Sequence, residues 1–232
     1  MRGVVIKLGN SFKSIRYEED HIFAGAGALG IVISRFAATK GIGGFEFLSG
    51  IPGTLGGSII MNAGAYGREI SDVLVSVEAV DNYGNIYSID SNDISFSYRS
   101  AQIENNLILL GACLKGYKED HRVIENQLNE IQNLRNKSQP VKRKTGGSTF
   151  KNPQDSNYKA WELIELSGCK GMKEGGAMVS DLHCNFLINT GHASAFELEK
   201  LGNEVRSKVF SSTGVSLDWE IKRIGETLEV ST

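Results

Sequence analysis

Proline is scarce in this chain, 3 residues of 232, or about 1% where about 5% is usual. Together with abundant glycine, that scarcity argues against a disordered linker protein. Cysteine is equally sparse: Cys113, Cys169 and Cys184 are odd in number and widely spaced, which excludes a disulfide framework and fits free thiols in a reducing compartment. No Cys-x-x-Cys or His-x-x-x-His pair occurs, and adjacent His183 and Cys184 are poorly spaced for chelation, so a structural zinc site is excluded. Positive charge is not in excess. Lys and Arg number 25 against 27 acidic residues, a net charge of -2, which makes nucleic acid a poor partner. No apolar run is long enough for a spanning helix, so no membrane partner is expected, and the short run at residues 4–8 does not make a signal peptide. A cytoplasmic location is therefore expected.

Glycine is what the chain has in quantity: 27 residues, about 12% against a usual ~7%. Nine of them fall in residues 41–67. Such density points to tight turns where backbone approaches a ligand. Residues 4–8, 15–17 and 21–24 read as short strands, and 31–40 as a helix. Strands follow at 73–80 and 86–89, joined by Asp81-Asn82-Tyr83-Gly84-Asn85, which is hairpin turn chemistry. Residues 107–112 make another strand. Residues 119–137 are charged, with Ile124, Leu128 and Ile131 at helical spacing, as in a connector between two lobes. In the second lobe, 158–166 reads as a helix stopped by Gly168, and 179–189 as a strand. Ser194 and Glu197 form a capping box for a helix striped by Leu198, Leu201, Val205 and Val209 and stopped by Gly214. Residues 215–224 read as a last strand. The mixture is α+β in two lobes, without regular βαβ alternation.

Two glycine motifs carry chemistry. Gly25-Ala26-Gly27-Ala28-Leu29-Gly30 matches G-x-G-x-x-G between a strand and a helix. A Rossmann site also needs a second strand ending in an acidic residue; here no apolar strand precedes Glu46. A tight strand-to-helix turn is the better reading. Gly50-Ile51-Pro52-Gly53-Thr54-Leu55-Gly56-Gly57-Ser58 offers bare backbone and hydroxyls for a pyrophosphate, and Asn62-Ala63-Gly64-Ala65-Tyr66-Gly67 follows closely. The lysine of a P-loop is missing.

The runs Gly44 to Gly57 and Met61 to Gly67, with Ser97-Tyr98-Arg99-Ser100, Gly146 to Pro153, Gly175 to Ser180, His183-Cys184-Asn185-Phe186 and Leu217 to Gly225, resemble the UDP-N-acetylenolpyruvoylglucosamine reductase family, in the family's order and over nearly the whole chain. The resemblance implies an FAD-binding lobe of the p-cresol methylhydroxylase/vanillyl-alcohol oxidase type, residues 1–117, and a C-terminal α+β substrate-binding lobe with the connector helix, residues 118–232. It implies a hydride relay from NADPH through FAD to the enolpyruvyl double bond of UDP-N-acetylglucosamine enolpyruvate. The product is UDP-N-acetylmuramate, for peptidoglycan and cell-wall biogenesis. On that basis Arg99 is the cation for the enolate, Ser148 the proton donor, and Glu220 a carboxyl that polarises the acceptor or relays the proton. By itself Ser148 would read as a turn serine, and Arg99 as a strand-end arginine. Gly53, Thr54, Gly56, Gly57, Asn62, Gly64, Ala65 and Tyr66 bracket the flavin, while Tyr98, Lys151 and Asn152 are assigned to the substrate.

The chain departs from that family in two places. It lacks the tyrosine-bearing loop of one branch, and its residues 1–7 align with the middle of the family's flavin lobe. The expectations that follow are an N-terminally truncated lobe, weak FAD binding by this chain alone, and a separate N-terminal lobe or chain as partner. Two alternatives stand beside the reductase: a flavin oxidase of the same fold, and a non-catalytic remnant.

Overall fold

A computed structural model describes residues 4–225. The chain forms two compact units, one spanning Val5–Arg135 and the other taking up the chain from Asn136.

The first unit is built on a five-stranded antiparallel sheet. Its strands lie in the order Ile15–Glu18, His21–Gly25, Ile108–Lys115, Leu74–Val80 and Ile86–Asp90. Strand period places Ile22 and Ala24, and likewise Val77 and Ala79, on the buried face. Helices α1 (Gly30–Thr39) and α2 (Leu55–Ile60) bring Ile33, Ala37, Leu55 and Ile59 to the same core. The hairpin turn at 81–85 forms as its sequence dictates. The Asp81 carboxylate accepts from the amides of Tyr83 and Asn85, the Asn85 side chain and the Tyr87 hydroxyl. Those donors, the Asn85 side chain first, lower its pKa to about 2. Gly84 takes the left-handed φ of +88°.

Helix α3 (His121–Ser138) buries the expected Ile124, Leu128 and Ile131 stripe. Ile124 and Leu128 cluster with Ala38 of α1, and Gln132 Nε2 donates to the Ser49 carbonyl at 2.7 Å. The division between compact units therefore falls at Arg135 and Asn136, with most of the connector helix packed on the first unit.

In the second unit a four-stranded antiparallel sheet runs Lys144–Ser148, Phe186–Asn189, Ala177–Val179, Lys173–Glu174. Helices α4 (Ala160–Leu166) and α5 (Ala195–Thr213) supply Leu163, Ile164, Leu201, Val205 and Val209 to a core shared with Phe150, Val179 and Leu187. The capping box is present: the Glu197 amide donates to Ser194 Oγ at 3.2 Å and the Ser194 amide to Glu197 Oε2 at 2.8 Å. Gly214 closes α5 at φ +74°.

Three expected strands need correction. Residues 4–8 form no strand: Val4, Val5 and Ile6 are exposed, and among the described residues they join no ladder. A short apolar run makes a strand only when a partner pairs with it. Residues 179–189 are two strands separated by a loop at 180–185, where polar Ser180 and Asn185 turn the chain. Among the described residues, 215–224 pair with the rest of the chain through one isolated bridge, Trp219 to Phe150, so no regular strand develops.

Candidate functional site

In the first unit the two glycine motifs are stitched together. The Gly30 amide donates to the Gly53 carbonyl at 3.2 Å, Leu55 to Ala28 at 2.8 Å and Gly56 to Ala26 at 2.9 Å, while Leu29 bridges Thr54. The G-x-G-x-x-G segment is thus a tight turn whose carbonyls hold the second loop. Its glycines are needed for packing: a Cβ on Gly25 would lie 2.2 Å from the Phe12 carbonyl oxygen, and one on Gly30 would lie 3.0 Å from that of Leu48.

The second loop divides its glycines by face. A Cβ on Gly56 would meet that of Ala26 at 3.1 Å, so Gly56 is an inner, packing glycine. Gly53 and Gly57 are exposed. Gly53 requires its φ of +138°. Gly57 lies inside α2, where glycine costs ~0.5–1 kcal/mol relative to alanine. A Cβ there would touch only Thr54 Oγ1, at 3.8 Å. Among the described residues no neighbour demands glycine at 57, and a bare surface that a Cβ would fill is what a closely approaching ligand needs. The residues present therefore fit a flavin nucleotide. Thr54 sits at the N-cap of α2, yet its hydroxyl makes no capping bond.

The next motif turns out to serve two purposes. Asn62 is buried at φ +38°, and its side chain accepts from the Ser71 amide at 3.1 Å and donates to the Ser97 carbonyl at 3.4 Å. Those bonds tie the end of α2 to the hairpin Phe96–Ser97/Ser100–Ala101. Gly64–Ala65 pairs with Arg68–Glu69 around a two-residue turn, Tyr66 and Gly67, both at positive φ. The Tyr66 ring lies over Gly50, where a Cβ would come within 2.4 Å of it. Burial raises the Tyr66 pKa, with Arg135 opposing the shift.

Tyr98 and Arg99 form the turn of the 96–101 hairpin. Arg99 takes φ +56°, a conformation that glycine or asparagine normally fills. Its guanidinium lies 5.1 Å from the Tyr98 ring centroid, and Nη1 donates to the Gly64 carbonyl at 3.3 Å.

The second unit holds the other expected residues. Ser148 ends the strand Lys144–Ser148, after a register shift and Gly147 at φ +90°. It is half-buried, and its hydroxyl makes no hydrogen bond among the described residues. The Phe150–Trp219 bridge draws the 149–151 segment alongside residues 218–220: the Glu220 amide donates to the Thr149 carbonyl at 2.9 Å, and that of Lys151 to Asp218 at 2.8 Å. The Glu220 backbone is therefore bonded to Thr149, the residue after Ser148. The Phe150 and Trp219 rings pack at 5.0 Å. Trp219 also fills a notch at Gly202 of α5, where a Cβ would lie 2.1 Å from the indole. Asn152 Oδ1 accepts from the Ala160 amide at 3.0 Å, which fixes the entry to α4. Lys151 is half-buried and has no ion-pair partner among the described residues.

Sequence reasoning missed two features nearby. The His183 ring is enclosed by Trp161 and Phe186, and burial lowers its pKa. A cleft of about 530 Å³ opens between residues 136–143 and the sheet, floored by Met178 and Ile188, with Lys142 and Arg143 at its edge. Met178 and Ile188 alternate with the helix-packed Ala177, Val179 and Leu187 and so face the other side of the sheet. That cleft contains none of the expected site residues.

Sequence comparison matches residues 139–224 to the C-terminal domain of UDP-N-acetylenolpyruvoylglucosamine reductase, and residues 1–90 to an FAD binding domain. The UDP-N-acetylenolpyruvoylglucosamine reductase of Rickettsia prowazekii (strain Madrid E) is 50% identical over 226 residues, which is 97% of this chain and 76% of the relative. That of Rickettsia massiliae (strain Mtu5) is 49% identical over 225 residues, with the same coverage. Among solved structures, the UDP-N-acetylenolpyruvylglucosamine reductase from Thermus caldophilus superposes with a TM-score of 0.80 at 32% identity, covering 92% of this chain and 76% of that one.

Proposed function

The chain belongs to the UDP-N-acetylenolpyruvoylglucosamine reductase family, and from that premise we propose how its own residues divide the reaction. It is an FAD-dependent oxidoreductase that reduces UDP-N-acetylenolpyruvoylglucosamine in peptidoglycan synthesis, with NADPH as hydride donor. The fold joins an FAD-binding domain to the reductase C-terminal domain. No observation favours the oxidase or the non-catalytic remnant.

The chemistry that FAD supplies when bound is carriage of a hydride from NADPH to the terminal carbon of the enolpyruvyl double bond. The protein's residues must hold the cofactor, stabilise the resulting enolate and return a proton. Gly53, Thr54, Gly56 and Gly57 are proposed to form the wall that holds the flavin nucleotide, Gly56 by packing that wall on Ala26 and Gly57 as its bare face. Residues 62–66 form the adjoining wall: Asn62 shapes it by tying α2 to the 96–101 hairpin, and Gly64, Ala65 and Tyr66 line it. Arg99 is proposed to stabilise the two electrons left on the carboxylate side, since its fork can meet both oxygens. Ser148 then protonates the alpha carbon to give UDP-N-acetylmuramate, and Glu220 polarises the acceptor or relays the replacement proton. Tyr98, Lys151 and Asn152 are proposed to bind the substrate, Lys151 through a phosphate.

The observation that supports these assignments is the ladder of residues 149–151 against 218–220, which bonds the Glu220 backbone to the residue after Ser148. The functional division proposed is a flavin lobe, residues 1–117, and a substrate lobe, residues 118–232. The cytoplasm is the proposed compartment, since the buried free thiols Cys169 and Cys184 suit a reducing setting. A separate N-terminal lobe or chain is kept as a proposed partner, because Ile15–Glu18 presents an edge of the sheet.

The roles are tested by Ser148→Ala and Glu220→Gln, with flavin reduction by NADPH and flavin reoxidation by the enolpyruvyl substrate timed separately. Reoxidation is expected to slow by ~10²–10⁴-fold in Ser148→Ala while reduction stays near wild type. Glu220→Gln should behave similarly and also change the pH profile. A Ser148→Ala enzyme that reoxidises within a few fold of wild type would remove the proton-donor role.

A further inference from the structure

We propose that Asn185 is a positioning residue for the reductase reaction, holding Ser148 and Glu220 in register through the backbone of residues 149–151. The proposal rests on the roles given above to Ser148 and Glu220.

Asn185 is 5% exposed and stands in the short loop before the strand Phe186–Asn189. Its carboxamide grips one residue on both sides: Oδ1 accepts from the Phe150 amide at 3.0 Å, and Nδ2 donates to the Phe150 carbonyl at 2.8 Å. Its own carbonyl accepts from the Thr149 amide at 2.8 Å. The side chain thus stands in for a peptide group just beyond the Ser148–Phe186 pair that ends the ladder. The opposite edge of the same segment carries the catalytic ladder, with Thr149 accepting from Glu220 and Lys151 donating to Asp218. Residues 149–151 are therefore clamped between Asn185 and the Glu220 segment, with Ser148 at one end.

The choice of residue type is chemically specific. Thr149 and Phe150 are at 0% and 1% exposure, so water does not replace a lost partner there. One planar group must donate and accept at once. A carboxylate only accepts, so an aspartate would turn a negative oxygen toward the Phe150 carbonyl. A leucine of similar size would join the apolar neighbours Cys184 and Phe186 but leave both Phe150 groups unpaired.

The test uses FAD-loaded protein carrying Asn185→Asp or Asn185→Leu. Flavin reduction by NADPH is expected within about twofold of wild type, while reoxidation by the enolpyruvyl substrate slows by about ten- to a hundredfold, as expected for a buried group left unpaired beside the reacting residues. The loss should fall on kcat more than on KM. In a Ser148→Ala background, Asn185→Leu should add less than about threefold, because both changes disable one unit. A purely structural role would give additive losses.

Amide hydrogen exchange gives a readout independent of turnover. In Asn185→Leu the Phe150 and Glu220 amides should exchange at least about tenfold faster. Glu220 is the remote reporter, since its amide bonds to Thr149 and not to Asn185. Should Asn185→Leu not fold, Asn185→Asp, which keeps the shape and the acceptor, carries the same comparisons. Unchanged exchange at Glu220, near-wild-type reoxidation in both variants, or additivity with Ser148→Ala each overturns the proposal. A near-wild-type Ser148→Ala instead strikes the proton-donor role alone, and the cycle is then read against Glu220→Gln.

Discussion

Gly57→Ala is expected to change sign with the cofactor. In the flavin-free chain the new Cβ meets, among the described residues, only Thr54 Oγ1 at 3.8 Å, an ordinary contact. Gly57 is inside α2 at a φ that any residue adopts. Alanine should therefore stabilise the flavin-free protein by ~0.5–1 kcal/mol, through helix propensity and reduced freedom of the unfolded chain. For a chain of this size that is a rise in Tm of about 1–4 °C. With FAD present the same methyl occupies the space the ligand needs, so affinity should fall by about tenfold or more, as when a close contact is overpacked. Neighbouring glycines provide controls. Gly56→Ala presses on the Cβ of Ala26 at 3.1 Å, and Gly53→Ala forces a side chain at φ +138°, so both should lower Tm with or without flavin. Thermal melts at several FAD concentrations and flavin fluorescence titrations supply the numbers. Unchanged FAD affinity in Gly57→Ala would refute the assignment of this face. A fall in flavin-free Tm would refute the reading of Gly57 as unconstrained by the protein.

Arg99→Lys should slow flavin reoxidation by about 10²-fold and leave reduction by NADPH nearly untouched, because lysine cannot meet a carboxylate with a fork; equal loss in both steps would make Arg99 structural. Gly202→Ala should displace the Trp219 indole, lower stability by ~1–3 kcal/mol and slow reoxidation more than reduction; a neutral Gly202→Ala would mean that the notch is unimportant for Glu220. His183 has a folded pKa below its ordinary value because it is buried. As pH falls through about 6.5 the unfolded chain takes up the proton first, so stability should decline on the acid side. Urea melts between about pH 5 and 8 should show that decline flattened in His183→Gln, and an equal slope in both proteins would count against it.

Local chemistry was legible in the sequence, and pairing at a distance was not. The Ser194 and Glu197 cap, the Gly214 stop and the Asp81 turn are settled within a few residues, and each forms as read. The α3 stripe revealed a buried face, but nothing in its spacing said that Ala38 would meet it. Residues 4–8 and 215–224 have strand-like composition and fail because a strand is a property of two segments. Within the site, the glycine loops were visible by density. Their mutual stitching, and the internal use of Asn62 and Asn185, lay in hydrogen bonds to residues up to 35 positions away. One sign of Asn185 was available: a lone amide among apolar residues must find partners if it is buried.

The stitching of the two glycine loops has a thermodynamic consequence. The ligand-facing loop is bonded to Ala26 and Ala28, and Ala26 in turn donates to Leu110 in the middle of the sheet. A loop fastened in this way cannot open without loosening the strands behind it. Flavin occupancy should then be linked to global unfolding of the first unit, and not to local fraying. At an FAD concentration a hundredfold above Kd, mass action adds about 2.7 kcal/mol to the free energy of unfolding. The slowest-exchanging amides of the central strands, far from any ligand atom, should therefore slow in step with flavin saturation. Cofactor supply would then regulate how long the folded chain survives proteolysis as well as how fast it turns over.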